Sequence, residues 1–226
     1  MKGLNGNQLK VIAMITMTVD HVGMLFFPEM ILFRIIGRLA FPIYAYMIAE
    51  GCRHTRSLPR YLGSLGAMAA VCQLVYLIAM GSLYQCIMVT FSLSVALYML
   101  MRWAAKKGVW AKALVWLSIG GVLFLTELLP LLIPNTDYGI DYGFLGVMLP
   151  VVLALCRNGK QRLWAGAILL GLMAAFSWFV QWFALLAIPL LALYNEQRGK
   201  KNLKWLFYGY YPAHLAALQA LVWLGI

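Results

Sequence analysis

Six ionisable residues lie inside stretches of the sequence that are otherwise apolar. They are Asp20, His21, Arg34, Arg38, Glu127 and His214. A charged side chain at the centre of a bilayer costs about 2.5–3.5 kcal/mol even on lenient insertion scales, so such residues are rare there and usually carry function. Histidine exchanges protons near neutral pH, and a guanidinium can stabilise an oxygen on which negative charge develops. These residue types therefore predict proton transfer combined with stabilisation of an anion.

The spacing of these residues limits which of them can act together. Arg34 and Arg38 are four residues apart and share one face of a helix, whereas Asp20 and its neighbour His21 point about 100° apart. A purely structural alternative is that Asp20 and Glu127 only neutralise the two arginines. That alternative explains four charges but leaves both histidines unexplained, although a lone histidine in a membrane often serves only as a hydrogen bond between helices.

A second set of polar residues follows the segment that carries the two arginines. It consists of Glu50, Arg53, His54, Arg56 and Arg60, to which Lys106 from a later gap is added. Guanidinium groups pair bidentately with phosphate oxygens, so this set predicts a diphosphate-binding site. Two alternatives stay open. The basic residues could serve only to orient a membrane protein, or they could bind anionic lipid headgroups.

The composition requires that membrane-spanning helices position these residues. The sequence is 64% hydrophobic and only 11% charged, against about half and about 25% in soluble domains. Such a chain could not cover a surface that faces water. The net charge of +11 comes from basic residues in short gaps between apolar runs, which argues against nucleic acid as a partner. Because no long polar stretch separates the runs, we expect one transmembrane domain over residues 1–226.

The four cysteines give no sign of a metal site or of a disulfide framework. Cys52, Cys72, Cys86 and Cys156 have no paired spacing and lie mostly within or beside apolar runs. We therefore expect cysteines that behave as small hydrophobic residues, and no bound metal.

Eight apolar runs are candidates for membrane spans. They are Leu9–Phe27, Ile31–Ala49, Tyr61–Met80, Leu83–Met101, Ala113–Ile133, Tyr142–Cys156, Leu163–Tyr194 and Leu203–Leu224. A helix needs about 20 residues to cross a hydrocarbon core of ~30 Å. The run Leu163–Tyr194 would form a helix of about 48 Å, which is too long for one crossing. We therefore expect a break near Ser177–Gln181, which makes either two short helices or a re-entrant hairpin.

The distribution of Lys and Arg over the gaps predicts the topology. Positive residues fill alternate gaps: Arg53, Arg56 and Arg60; Arg102, Lys106, Lys107 and Lys112; Arg157, Lys160 and Arg162; Arg198, Lys200, Lys201 and Lys204. The positive-inside rule places these gaps and the N-terminus in the cytoplasm. Arg162 and Arg198 are then on one side, so the long run crosses an even number of times. The sequence predicts an all-α, polytopic membrane bundle of about nine transmembrane helices, with the six buried ionisable residues in one layer of its outer half.

Three stretches of the sequence closely resemble the TraX family. They are Leu9–Gly23 (LKVIAMITMTVDHVG), Arg34–Arg56 (RIIGRLAFPIYAYMIAEGCRHTR) and Tyr210–Leu215 (YYPAHL). Members of this family are bacterial inner-membrane proteins, and the namesake acetylates the N-terminus of conjugative pilin. The resemblance is dense over the first 60 residues and specific again near the C-terminus, and between these regions it is mainly one of hydropathy. TraX-like proteins are grouped with a larger set of transmembrane acyltransferases.

The resemblance implies acyl transfer from cytoplasmic acyl-CoA, most simply acetyl-CoA, to an amine or hydroxyl acceptor on a pilin-like protein or a glycan. In the wider group a histidine of the first helix is held to be catalytic, and arginines of a nearby helix handle the thioester or the phosphates. By that pattern His21 is the base, and Arg34 and Arg38 are the arginines. Asp20 or Glu127 could hold the imidazole or a guanidinium in place.

Two other functions compete with acyl transfer. Intramembrane Asp, His and Arg residues also build the proton relays of transporters, so a proton-coupled small-molecule transporter is one alternative. A non-catalytic assembly factor for a pilus or secretion system is the other. In the acyltransferase interpretation the second polar set, from Glu50 to Lys106, holds the phosphates of CoA, and His214 joins His21 in the catalytic layer.

Overall fold

The computed structural model describes residues 3–200 and 203–225, and over these residues the protein is helical. The α-helices are α1 (Gly6–Phe26), α2 (Ile31–Gly37), α3 (Ala40–His54), α4 (Leu58–Met80), α5 (Ile87–Ala104), α6 (Val109–Leu123), α7 (Leu129–Leu132), α8 (Gly143–Leu155), α9 (Gly159–Ala175), α10 (Ala187–Ala192) and α11 (Lys204–Trp223). A π-helical turn (Phe124–Leu128) joins α6 to α7, and a 3₁₀ helix (Phe179–Leu186) leads into α10. Within this part of the chain, β pairing is limited to isolated bridges.

These helices make nine membrane segments in the described part of the chain. Five of them are long and apolar enough to cross a membrane: Gly6–Phe26, Ile31–His54, Leu58–Ile78, Ile87–Ala104 and Val109–Leu132. Two shorter apolar segments are Gly143–Leu155 and Phe179–Ala192. Helices α9 and α11 complete the set. The predicted all-α membrane bundle of about nine helices is thereby confirmed.

The chain divides into two compact units. The first consists of Met1–Met47 with Cys156–Ile226, and the second is Ile48–Leu155. In the first unit α1 packs against α2 and α11, and α2 also contacts the 3₁₀ helix. In the second unit α5 packs against α4, α6 and α8. The expected single domain over residues 1–226 stays a prediction.

The long run Leu163–Tyr194 is broken where the sequence predicts. Helix α9 ends at Ala175 and the 3₁₀ helix begins at Phe179. The two arms are each about 25 Å long by their helical rise. Arg162 in the first turn of α9 donates to Glu196, which follows the second arm, over 2.5 Å, so both ends of the run lie together. The chain thus returns to the side of the membrane on which the run began, as an even number of crossings requires.

The second span contains a kink that hydropathy did not predict. Helix α2 ends just before Arg38, and α3 begins after Leu39. Pro42 explains this break, because it has no N–H and its ring clashes with the carbonyl four residues earlier, which is that of Arg38. The backbone N–H groups of Arg38 and Leu39 instead also bond three residues back, to Ile35 and Ile36, over 3.3 Å each. The kink places Arg38 at a turn in the middle of the span.

Two gaps that the topology places outside the cytoplasm contact each other in the second unit. Ser82 donates to Asp137 over 2.5 Å, and the backbone N–H of Leu83 donates to the same carboxylate over 2.9 Å. The Gln85 N–H also donates to the Gly139 carbonyl over 2.7 Å. The hydrogen bond from Ser82 holds the pKa of Asp137 below its ordinary value. These contacts agree with both gaps lying on one side of the membrane.

The start of α1 contacts a gap that the topology places in the cytoplasm. The helix begins with a capping box. Asn5 Oδ1 accepts from the backbone N–H of Gln8 over 3.0 Å, and the backbone N–H of Asn5 donates to Gln8 Oε1 over 2.9 Å. The Gly6 N–H donates to the Gln197 carbonyl over 2.7 Å. The N-terminus and this gap were predicted to lie on the same side of the membrane, and they are in contact. Lys201, which the sequence analysis adds to this gap, lies outside the described residues.

Candidate functional site

Asp20 on α1 binds both arginines of the second span. Arg34 Nη1 donates to its Oδ2 over 2.9 Å, and Arg38 Nη2 donates to its Oδ1 over 3.4 Å. Asp20 thus holds both guanidiniums in place, a role that the sequence left open between Asp20 and Glu127. One carboxylate shared by two guanidiniums leaves this ion-pair cluster with a net positive charge.

The ion-pair cluster depends on a close approach of α1 and α2. Gly37 is buried on α2, and a Cβ atom at this position would overlap the side chain of Asp20. A Cβ atom at Gly23 on α1 would likewise overlap the ring of Phe33. Small residues thus let the two helices approach, as is common between membrane helices.

We expect Gly37→Ala to displace the Asp20 carboxylate and to destabilise the protein by about 1–3 kcal/mol, the usual cost of overpacking. Gly63→Ala is the matched control, because a Cβ at Gly63 meets nothing within 4 Å. Thermal unfolding in one detergent should show a lower midpoint for Gly37→Ala only. Equal midpoints for the two variants would contradict the predicted overlap.

Gln181 is a part of the site that the sequence analysis did not identify. Arg38 Nη1 donates to Gln181 Oε1 over 3.3 Å, and only 5% of Gln181 is exposed. Because arginine has donors only, this contact identifies which end of the amide is the oxygen. Arg38 Nε and Gln181 Nε2 are buried, and neither has a hydrogen-bond partner in the described part of the chain. A donor left in this state costs about 1–3 kcal/mol.

The signal for Gln181 was present in the sequence. It is a polar residue inside the run Leu163–Tyr194, at the end of the stretch Ser177–Gln181 near which the break is predicted. The 3₁₀ helix that follows the break carries Gln181 and contacts α2.

The two membrane histidines bind each other, although 193 positions separate them in the chain. The Nδ1 atom of His21 lies 3.0 Å from the Nε2 atom of His214. The Nδ1 atom of His214 lies 3.0 Å from the carbonyl oxygen of Tyr210. A carbonyl only accepts, so His214 Nδ1 carries a proton and, in the neutral ring, its Nε2 accepts from His21 Nδ1–H. Nε2 of His21 is then the unprotonated nitrogen, which can act as a base.

Aromatic rings hold His214 in place. Tyr210 stacks on its ring at 5.2 Å between centroids, and Tyr211 meets it edge-on at 5.4 Å. The hydroxyl of Tyr210 is hydrogen-bonded to that of Thr18 on α1. These contacts connect α11 to α1 and fix the orientation of the pair of histidines. Tyr210 lies in the quoted motif Tyr210–Leu215, one helical turn before His214.

The ion-pair cluster and the histidine pair belong to one site. Asp20 and His21 are consecutive on α1, and Arg34 and Arg38 both bind Asp20. Among residues 3–200 and 203–225 there is no group of three or more His, Cys, Asp or Glu that could hold a metal ion. The arrangement combines a base with fixed cationic donors, so it can remove a proton beside a developing anion.

Glu127 lies in the second unit and has a contact of its own. It occupies the π-helical turn that precedes Pro130, and its Oε1 accepts from the backbone N–H of Phe144 over 2.7 Å. Phe144 is in the first turn of α8, where a carboxylate is favoured by the helix dipole. This contact explains a carboxylate at this position without an arginine partner. Its role in catalysis stays a prediction.

All six residues of the second polar set also lie in the second unit. They are Glu50, Arg53 and His54 near the end of α3, Arg56 and Arg60 around the start of α4, and Lys106 between α5 and α6. His54 Nε2 lies 3.4 Å from Glu50 Oε2, one turn away on the same helix. Ser57 caps α4 by accepting from the N–H of Arg60. Arg56, Arg60 and Lys106 are exposed.

Comparison with known proteins connects this sequence to one family. The family model described as "TraX protein" matches residues 5–222. The chain is 37% identical over 73 residues to a probable fimbrial assembly protein, FimC, of Dichelobacter nodosus, which covers 30% of each chain. It is 47% identical over 38 residues to an uncharacterized protein, RP591, of Rickettsia prowazekii (strain Madrid E), or 17% of this chain and 15% of that one. Each match thus spans less than a third of the relative. No solved structure matches the chain.

Proposed function

This chain belongs to the TraX protein family, and we propose that it is an acyltransferase embedded in the bacterial inner membrane. It moves an acyl group, with acetyl as the first candidate, from cytoplasmic acyl-CoA to an amine or hydroxyl of an acceptor. The observation that supports this proposal best is the chain of hydrogen bonds from His21 through His214 to Tyr210, beside two arginines that share one carboxylate.

In this proposal each part of the site has one task. Nε2 of His21 takes the proton of the acceptor, whose N or O atom attacks the thioester carbonyl. The guanidinium of Arg38 stabilises the oxygen as it becomes negative. The C–S bond then breaks, and His21 returns the proton to the leaving thiolate, which becomes free CoA. Asp20 keeps the arginines in position, and His214 keeps His21 in the required tautomer.

The acceptor in this proposal is a pilin-like protein or a glycan. The similarity to a protein described as a probable fimbrial assembly protein favours a pilin-like acceptor and a role of this chain in pilus biogenesis. The same similarity also favours a second candidate function, a membrane assembly factor without catalytic activity. The buried base and donors favour the enzyme, because an assembly factor needs neither.

One experiment separates these functions. The purified protein in proteoliposomes is supplied with radiolabelled acetyl-CoA and with a peptide that carries a pilin-like N-terminus. We expect release of free CoA and label on the peptide. Accumulation of unreacted label inside the vesicles would support a transporter, and neither result would support the assembly factor.

The second polar set supports binding of the CoA phosphates at the cytoplasmic end of α4. Arg53, Arg56 and Arg60 lie around the start of this helix, and their guanidinium groups can pair with phosphate oxygens. We expect the double variant Arg53→Ala, Arg56→Ala to weaken CoA binding about 10- to 100-fold at low salt, since charge-assisted hydrogen bonds are lost. The measurement is calorimetric titration with CoA at two salt concentrations, because salt screens such exposed charges.

The control for this test removes the same charge from another gap that the topology places in the cytoplasm. Arg157 and Lys160 are both exposed, and their double alanine variant should bind CoA like the parent protein. Equal CoA affinity of the Arg53→Ala, Arg56→Ala variant and the parent would place the phosphates elsewhere, with the Arg102–Lys112 gap as the next site to test.

A further inference from the structure

Arg38 and Gln181 are hydrogen-bonded to each other, and each also has a buried donor atom without an acceptor in the described part of the chain. Arg38 uses Nη2 on Asp20 and Nη1 on Gln181 Oε1. Its Nε–H and the amide N–H groups of Gln181 have no acceptor within the residues that the structure describes. Oε1 of Gln181 is the acceptor atom of this pair, and it already binds Arg38. The atoms of the pair that remain unpaired are donors.

Donors of this kind define the ligand that they can take. Buried polar groups are nearly always hydrogen-bonded, so an unpaired buried donor in a site is free to bind an acceptor atom of a ligand. The ligand must therefore present an oxygen with free lone pairs. Because one carboxylate already serves two guanidiniums, the residual charge is positive and favours an oxygen that gains negative charge.

From this arrangement we infer that Arg38 Nε and Gln181 Nε2 form the binding site for the acyl carbonyl oxygen, which becomes the oxyanion. This inference rests on the proposed acyl transfer. When the acceptor attacks, the carbonyl π electron pair moves onto the oxygen, and both donors hold the charge. When the C–S bond breaks, the pair returns to the carbonyl, and the acceptor's proton, carried by His21, passes to the CoA thiolate. Gln181 is then a catalytic residue that touches the reacting oxygen.

The local fold explains why these two donors are fixed before substrate binds. Pro42 makes the kink that holds Arg38 at the end of α2, and the break after α9 starts the 3₁₀ helix of Gln181. The backbone N–H of Gln181 donates to the Trp178 carbonyl over 2.8 Å. Donors fixed in advance avoid reorganisation during the reaction, which is where electrostatic catalysis gains most.

The test compares binding of CoA with binding of a ketone analogue of acetyl-CoA, in which a CH₂ group replaces the sulfur. The analogue keeps the carbonyl and cannot transfer its acyl group. We expect the parent protein to bind the analogue more tightly than CoA. In Gln181→Leu the ratio of the two affinities should fall at least about tenfold, while the affinity for CoA stays the same. We also expect kcat to fall about 100-fold with little change in KM for acetyl-CoA, as for loss of one oxyanion donor.

Two further variants make the outcome unambiguous. Gln181→Glu has nearly the same shape, keeps an acceptor for Arg38 and removes the amide donor, so it should lose the preference even if the leucine variant misfolds. Gln73→Leu removes a glutamine from α4 in the second unit and should leave the preference unchanged. If the parent binds neither ligand, the proposed acyltransferase function fails. If the parent prefers the analogue and Gln181→Glu keeps that preference, only the assignment of Gln181 is overturned.

Discussion

Replacing His21 by alanine is expected to lower acyl transfer at least about 100-fold, the usual contribution of a general base, while the protein still folds in detergent. His21 Nε2 is the unprotonated nitrogen whose lone pair is not used within the histidine pair, and no other side chain of the site supplies a base at that position. The measurement is the initial rate of label transfer from acetyl-CoA, with thermal unfolding as the check of folding. A well-folded variant that retains more than about a tenth of the activity would show that His21 is not the base.

His214 gives this prediction an internal comparison. His214→Ala is expected to be milder than His21→Ala, because His214 acts through His21 and does not itself take the proton of the acceptor. His214→Gln should recover part of the lost rate, since an amide oxygen can accept from His21 Nδ1–H. Equal losses at both histidines, with no recovery in the glutamine variant, would mean that His214 takes part directly.

The membrane segments could be predicted from the sequence because they depend on composition and length alone. Apolar runs of about 20 residues must be helices that cross the bilayer, and the length of Leu163–Tyr194 required a break. The kink at Arg38 was missed even though Pro42 stands in the sequence. Hydropathy averages over side chains, whereas this kink arises from one missing N–H and one steric clash.

The site was predictable only where charge alone determines the partner. Two arginines in a membrane need a carboxylate, and Asp20 on the neighbouring helix supplies it. The contact between His21 and His214 depends on how α1 and α11 pack, and no local pattern encodes that packing. Gln181 was missed because a single uncharged polar residue is not unusual in a membrane helix. Asp20 or Glu127 was expected to hold an imidazole or a guanidinium, and Asp20 does so; Glu127 accepts from a backbone N–H, a contact that no side-chain pattern reveals.

Asp20→Ala is expected to cost about 3–5 kcal/mol of stability, because removing one partner of a buried ion pair strands the other charge. Here two guanidiniums lose the same carboxylate, whose side chain is only 18% exposed. Activity should fall as well, since Arg38 loses the contact that orients it. Thermal unfolding and acyl transfer are both measured, with Glu29→Ala as the control, because Glu29 is exposed in the turn between α1 and α2.

A double-mutant cycle with Arg34→Ala identifies the cause of this loss. If the cost of Asp20→Ala comes from stranded charge, removing one arginine should recover part of the stability, and the effects of the two substitutions should not add. Asp20→Asn should lie between the parent and Asp20→Ala in stability, because the amide oxygen still accepts from one arginine but carries no charge. Additive effects of Asp20→Ala and Arg34→Ala would show that the two side chains do not share a buried ion pair, and the structural basis of the site would have to be revised.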